Sequence, residues 1–338
     1  PPVSMGRLCR LSPDKGSGEG LQGWGGLRTQ GASIELSLFS ALSLYFEHHN
    51  GERGLGMVNC LADSEIERFL EEDIPYGDLT THLLGIGQQQ GEIRFSTRHH
   101  TTLCCTEEAA RVLTKSGCKI TWQTASGTRL PPGETFLLAT GPAQALHAGW
   151  KVAVNLLEYG SGIATRTARI VTAAREVNPC IAVLTTRKTF PGTKKLAIKA
   201  ICAGGALPHR LGLSETVLVF KQHTVFLGGL EPFLQQIAAL KRQALETKII
   251  VEADTPEEAK RIALTGVDVI QVDKLAPARL KELVGEIRQV NPGVKLSAAG
   301  GINEQNAAEY AASGVDILVL SSVYFGKPAD IGAVIVPV

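Results

Sequence analysis

The sequence is poor in methionine and aromatic residues, with two Met in 338 residues and an aromatic content of 5%. No basic stripe with interleaved aromatics occurs, and 34 Lys and Arg against 33 Asp and Glu leave a formal net charge of +1. That balance excludes a nucleic-acid footprint, and any charge-driven site must be local. Long apolar runs are missing as well. The longest in the first fifty residues, Ile34 to Phe46, contains Glu35 and falls short of the roughly 20 residues that span a bilayer, so no membrane partner is expected. The seven cysteines form no C-x-x-C pair, are odd in number and include the neighbours Cys104 and Cys105. Neither a disulfide framework nor a zinc knuckle fits, and a reducing cytoplasm is the expected compartment. With 44% hydrophobic and only 20% charged residues, the chain can bury one large core or two ordinary ones, which excludes disorder as a whole.

The first 56 residues hold 11 of the 36 glycines and show no sustained period of 2 or 3.6. Periodic sequence begins just after the second methionine, Met57, which reads as the initiator, with residues 1–56 an unstructured extension. From there two patterns follow. Ser64 with Glu67 reads as a capping box opening a short helix with Ile66, Phe69 and Leu70 on one face. Alternating stretches at Glu92 to Thr97 and Thr101 to Cys105, a helical Glu107 to Lys115 and a turn-rich Ser126 to Gly133 complete a small α+β domain over residues 57–162. The domain ends in a long helical pattern, Ala145 to Val177, that Gly160-Ser161-Gly162 is expected to interrupt.

Over residues 163–338 the pattern becomes one of apolar runs separated by amphipathic helices: Ile181 to Leu184, Val217 to Phe220, Ile249 to Val251, Val269 to Val272, Val294 to Leu296 and Ile317 to Leu320. This is a βα repeat. Six strands are fewer than the eight of a full barrel, so the fold class is α/β, a sandwich-like α+β domain followed by an incomplete, open α/β barrel. A doubly wound sheet is the alternative.

In parallel βα barrels the site lies at the C-terminal strand ends. Here the runs are followed by Thr185-Thr186-Arg187-Lys188, Lys221-Gln222-His223, Glu252, Asp273, Ala298-Ala299-Gly300-Gly301 and Ser321-Ser322. Singly, each charge reads as the solvated end of a strand; together they put cations and carboxylates around one mouth. Glu252 and Asp273 offer hard oxygens suited to Mg²⁺ beside a phosphorylated substrate, although an ion pair with Lys221 or Lys274 would explain them too. Gly300-Gly301 before a helix lets backbone N–H groups approach a phosphate. Lys194, Lys195 and Lys199 read as a solvated helical face, whereas His209 and Arg210, in a long loop, could join Arg187 and Lys188 in clamping a carboxylate.

The stretch Thr185-Thr186-Arg187-Lys188-Thr189-Phe190-Pro191-Gly192, with Ala203-Gly204-Gly205 and His209-Arg210-Leu211-Gly212-Leu213, resembles the nicotinate-nucleotide pyrophosphorylase (quinolinate phosphoribosyltransferase) family. Glu72-Asp73 with Gly77-Asp78-Leu79-Thr80-Thr81 matches its N-terminal signature. Residues 72–78 and Leu218-Val219-Phe220-Lys221-Gln222-His223 look like its ModD branch, associated with molybdenum transport operons. The resemblance covers Met57 to the C-terminus. It implies a dimeric or larger homo-oligomeric enzyme that joins phosphoribosyl pyrophosphate (PRPP) to a nitrogen acceptor. By matching motif, Lys188, Lys221, Glu252 and Asp273 would be catalytic and Glu252 and Asp273 would hold Mg²⁺. Arg187, His209, Arg210 and, at a position contributed across the dimer, Tyr159 would face substrate. Gly300 and Gly301 would face the ribose phosphate, and Ser321 the substrate.

Departures from the family pattern touch the acceptor. Tyr159 stands where quinolinate enzymes usually carry Arg, and a phenol cannot replace a bidentate fork. The usual Lys-Asp-Asn-His is Lys221-Gln222-His223, the usual Glu-Ala-Ser-Gly-Gly is Ser297-Ala298-Ala299-Gly300-Gly301, and the usual Asp-Asn is Asp273-Lys274. The expected acceptor is therefore an unidentified small molecule other than quinolinate. The alternatives are the ordinary quinolinate reaction, a non-catalytic holder of an anion such as molybdate, and a barrel aldolase using Lys221 as Schiff-base nucleophile, which needs an amine desolvated or placed near another cation.

Overall fold

The computed structural model describes residues 61–338. The expectations for residues 1–56 and for Met57 lie outside the described residues. The first half runs α1 (Asp63–Asp73), α2 (Leu79–Leu83), β1 (Gln90–Thr97), β2 (Thr101–Thr102), α3 (Thr106–Ser116), β3 (Lys119–Gln123), β4 (Arg129–Leu130), β5 (Thr135–Pro142) and the 35-residue α4 (Ala143–Val177). The second half runs β6 (Ala182–Thr185), α5 (Lys194–Ala203), β7 (Leu207–Pro208), β8 (Val217–Val219), α6 (Lys221–Thr224), α7 (Leu230–Leu234), α8 (Ile237–Gln243), β9 (Ile249–Ala253), α9 (Pro256–Ala263), β10 (Val269–Asp273), α10 (Pro277–Val290), β11 (Lys295–Ala299), α11 (Ala307–Ala312), β12 (Ile317–Leu320) and β13 (Ile331–Pro337).

Two sheets organise these elements. An antiparallel sheet of order β13-β1-β5-β3 alternates along β1, with Ile93 and Phe95 fully buried and Arg94 turned out, the signature of a one-sided sheet. A seven-stranded sheet of order β7-β6-β12-β11-β10-β9-β8 forms the curled, open barrel, with parallel pairing throughout. Its strands read as continuous apolar runs because helices cover them outside and side chains fill them inside. All six expected strands are present. The seventh, β7, escapes sequence reading because it is two residues long and ends in Pro208.

Helix α4 serves both cores. Ala145, Leu146, Val152 and Leu157 pack into the sandwich core, and Ile170, Val171 and Ala174 into the barrel core. The expected interruption at Gly160-Ser161-Gly162 does not occur. The glycines permit close approach: a Cβ at Gly160 would lie 2.6 Å from Cys105 Sγ, and one at Gly162 would lie 2.9 Å from the Ala329 nitrogen. Between them the Ser161 hydroxyl accepts the Cys104 N–H at 2.9 Å. Helix propensity is overridden by packing at this joint.

Three other expectations are corrected. Helix α1 starts at Asp63 with Ala62 as its cap, and the Glu65 carboxylate, not Glu67, reaches back to the capping N–H at 2.9 Å. Arg111 fixes this entry, donating to the Leu61 carbonyl at 2.8 Å, while Glu67 pairs with Lys115 at 2.8 Å. Lys199 is not solvated: its ammonium sits between Glu108 at 2.6 Å and Glu107 at 2.9 Å, tying α5 to α3. Burial alone would lower its pKa, but Glu108 and then Glu107 outweigh that and raise it. Finally, β13 does not belong to the barrel. It pairs with β1 from Ile331 opposite Thr97 to Pro337 opposite Gly91, so the end of the chain completes the first sheet. Among the described residues no helix is long and apolar enough to cross a membrane.

Candidate active site

The C-terminal ends of the barrel strands surround a cavity of about 640 Å³. On one side β6 and β7 deliver its cations. The His209 N–H donates to the Thr185 carbonyl at 2.8 Å, which sets the loop after β7 beside the loop after β6. The Tyr324 hydroxyl donates to Thr185 Oγ1 at 2.9 Å and to the Thr186 carbonyl at 3.2 Å, and Thr186 Oγ1 lies 2.9 Å from Ser321 Oγ. These bonds anchor the base of a loop whose next residues, Arg187 and Lys188, line the cavity with His209 and Arg210.

Charge is crowded there. Arg210 has its pKa lowered by partial burial and then by the neighbouring Arg187. His209 is buried, and desolvation, helped by Arg210, pushes its pKa down to about 4. It is thus neutral at physiological pH, a hydrogen-bonding group among cations rather than a further positive charge. An assembly of like charges held this close invites an anion.

On the other side the groups project from within strands. Glu252 is the fourth residue of β9, and Gln271 and Asp273 are the third and last of β10. The Gln271 amide donates to Glu252 at 2.6 Å. Burial raises the Glu252 pKa first; the Gln271 bond pulls it back, Asp273 and Asp254 push it up again, and Lys188 across the cavity pulls it down. Asp273 is followed by Lys274 in a left-handed turn (φ 55°), whose ammonium returns to the Asp273 carboxylate at 3.4 Å.

The third side is the loop after β11. Gly300 and Gly301 both have positive φ, 85° and 74°, which glycine adopts without strain. A Cβ at Gly300 would collide with the Asp273 carboxylate, so glycine is required for approach as well as for conformation. The Gly301 carbonyl accepts from the amides of Asn303 and Asn306, each at 3.1 Å, which folds the loop over the mouth.

Of the expected site residues, Arg187, Lys188, His209, Arg210, Glu252, Asp273, Gly300, Gly301 and Ser321 line this one cavity. Two do not. Lys221 opens α6, is 72% exposed in its side chain and faces Asp254 at 3.6 Å. An ammonium so wet, and paired with a carboxylate instead of another cation, meets neither condition of a Schiff-base nucleophile, which argues against the aldolase reading. Tyr159 is an exposed residue of α4 outside the lining. Sequence reasoning missed Gln271, Asn303, Leu218 and Phe220, which also line the cavity. A glutamine inside the apolar run Val269 to Val272 is the signal that could have found the first. Glu252 and Asp273 remain a pair: among the described residues no group of three or more His, Cys, Asp or Glu side chains could hold a metal by itself.

An open barrel whose strand ends set cations against carboxylates around one cavity is the apparatus of an enzyme of the pentosyltransferase class. Residues 78–161 match the model of the quinolinate phosphoribosyl transferase N-terminal domain and residues 163–332 that of its C-terminal domain, and the chain belongs to this family. It is 42% identical to the ModD-named pyrophosphorylase of Rhodobacter capsulatus over 246 residues, 73% of this chain and 94% of that one. To the ModD-named protein of Pasteurella multocida it is 37% identical over 274 residues, 81% of this chain and 97% of the relative. The crystal structure of nicotinate-nucleotide pyrophosphorylase from Ehrlichia chaffeensis superposes with a TM-score of 0.73 at 25% identity, covering 81% of this chain and 99% of that one.

Proposed function

We propose that the chain transfers the phosphoribosyl group of PRPP to a nitrogen of a small acceptor other than quinolinate, acting in the cytoplasm as a homodimer or larger homo-oligomer. The opposition of the two walls carries this reading. In the transfer, an acceptor nitrogen attacks the anomeric carbon as the bond to the pyrophosphate oxygen breaks, and positive charge develops on the sugar while negative charge departs. Glu252 and Asp273 face the sugar and, through a metal they would hold, the departing pyrophosphate; Arg187, Lys188 and Arg210 face any anionic group of the acceptor. Backbone N–H groups at Gly300-Gly301 suit the 5-phosphate. Two carboxylates that repel each other, next to where phosphates would lie, fit Mg²⁺, which binds one or two carboxylates and completes its shell with water and phosphate. Held by Glu252 and Asp273, it would supply positive charge against the leaving pyrophosphate.

Tyr159 supports an acceptor without the family's second carboxylate, since no guanidinium stands at that position. Exposed large apolar side chains such as Tyr76, Leu83, Phe190 and Tyr159 support a second copy covering part of this surface. The link to molybdenum use rests on the likeness to ModD-named relatives alone. Glu252 and Asp273 argue against a mere holder of a bare oxyanion, which they would repel.

The test incubates the full chain with PRPP and Mg²⁺, adding either quinolinate or a deproteinised small-molecule extract, and analyses products by mass spectrometry. A phosphoribosylated product from the extract and none from quinolinate is expected. Nicotinate mononucleotide formed from quinolinate at ordinary enzyme rates overturns the acceptor assignment, and no turnover by folded protein in any mixture overturns the transferase assignment.

A further inference from the structure

Three buried side-chain polar atoms among the described residues have no hydrogen-bond partner: Thr216 Oγ1, Gln271 Oε1 and Ser297 Oγ. The last two are neighbours. Gln271 on β10 pairs in register with Ser297 on β11 and with Glu252 on β9, so the three side chains lie in one row on one face of the sheet. That face is the barrel interior, because Gln271 and Glu252 line the cavity. Gln271 is 5% exposed and Ser297 1%. Below this row the interior is apolar: Ile250 and Val269 pack with Leu218, which itself reaches the cavity. Glu252 and Gln271 are therefore polar groups at the floor of the cavity, and Ser297 stands behind them in the same row, outside the lining.

Its polarity can be worked out. Glu252 accepts the Gln271 amide N–H at 2.6 Å. That bond leaves the amide oxygen as the free end, since the opposite orientation would set an oxygen against a carboxylate. The floor thus presents two acceptors, the Glu252 carboxylate and Gln271 Oε1, beside a hydroxyl that can donate or accept. Leaving a buried oxygen unpaired forfeits its hydration without return, and native interiors seldom do so without a functional reason.

We propose that Gln271, backed by Ser297 on the next strand, forms a recognition subsite at the floor of the cavity that takes a hydrogen-bond donor of the bound small molecule, an O–H or N–H. The subsite rests on the phosphoribosyl-transfer reading and sharpens it. The donor comes either from a pentose hydroxyl of PRPP or from an amide or amino group on the acceptor.

Ser297→Ala is the cleaner variant, since Gln271→Leu also strips Glu252 of its partner. Calorimetric titration of the full chain, its Ser297→Ala and its Gln271→Leu variants with PRPP, nicotinamide and nicotinate, each alone, separates the sources, and thermal midpoints are recorded alongside. We expect Ser297→Ala to keep or raise the midpoint, because it deletes an unpaired buried hydroxyl, while weakening one ligand about fivefold. Gln271→Leu should weaken the same ligand about tenfold or more. Loss on PRPP assigns the donor to the sugar; loss on nicotinamide, with nicotinate bound more weakly by the parent, assigns it to the acceptor. A lowered midpoint for Ser297→Ala with every affinity unchanged overturns the subsite. So does a chain that turns PRPP over yet binds all three ligands equally in parent and variants, which leaves the transfer reaction standing. Failure of the parent to bind PRPP would strike the transfer reaction, and the nicotinamide and nicotinate titrations would then decide the subsite.

Discussion

On the β6–β7 side of the cavity every charged group, Arg187, Lys188 and Arg210, stands on a loop beyond its strand, whereas on the β9–β10 side Glu252, Gln271 and Asp273 stand within strands. A strand-borne side chain is held by the ladder on both flanks; a loop-borne one is free to vary in length and direction. The acidic wall is further locked by the Gln271–Glu252 bond and by the Gly300 contact with Asp273. The cationic wall is tied at its base, through Thr186, Ser321 and Tyr324 and through the His209 N–H on the Thr185 carbonyl, and its charged side chains extend beyond those ties. The difference assigns the walls different tasks. The fixed wall suits the transferred group, which is the same for every acceptor, and the loop wall suits the acceptor, which is where this chain departs from the family pattern.

The largest expected effect falls on the fixed wall. Glu252→Gln or Asp273→Asn should slow pyrophosphate release by about 10²–10³-fold, the scale of one lost electrostatic group in a preorganised site. Glu252→Gln should leave the urea midpoint near the parent value, since burial already disfavours its charge. An equal loss from substitutions of the cationic loops would erase the contrast between the walls.

Next comes the neutral member of the cationic wall. His209 has a folded pKa of about 4 against an ordinary value near 6.5. Below pH 6.5 the unfolded chain therefore binds a proton that the folded chain refuses. Its contribution to stability is intact above 6.5 and is lost as pH falls towards 4, up to roughly 3 kcal/mol. Urea unfolding at pH 7 and 4.5 should show that loss in the parent and a flatter dependence in His209→Gln.

Smaller effects should follow from the loops. Arg210→Lys keeps the charge and loses the planar fork, and should raise KM roughly tenfold while kcat changes less. Tyr159→Arg is the gentlest change and works in the opposite direction: it should bring quinolinate use up from background about tenfold. Initial rates with quinolinate measure it.

Much of this comparison was legible in the sequence, and the rest was hidden for identifiable reasons. Barrel strands buried on both faces announce themselves as apolar runs, and the residue after each run falls at the mouth by geometry, which is why Glu252, Asp273 and Arg187 could be named. The same rule failed at Lys221, where a four-residue helix starts at once and turns the side chain outward to Asp254. Gly160-Ser161-Gly162 looked like a break because propensity is local, while the packing of Cys105 and Ala329 that demands small residues is not. Gln271 and Ser297 passed as incidental polar residues in apolar strands; only the register of three strands shows that they share one row with Glu252.

The most direct test of the central claim is ³¹P NMR of PRPP with Mg²⁺ and a small-molecule extract, comparing the full chain with Glu252→Gln. Pyrophosphate should appear with the parent and be nearly absent with the variant. Equal release from both would contradict the assignment of transfer to the strand-borne wall.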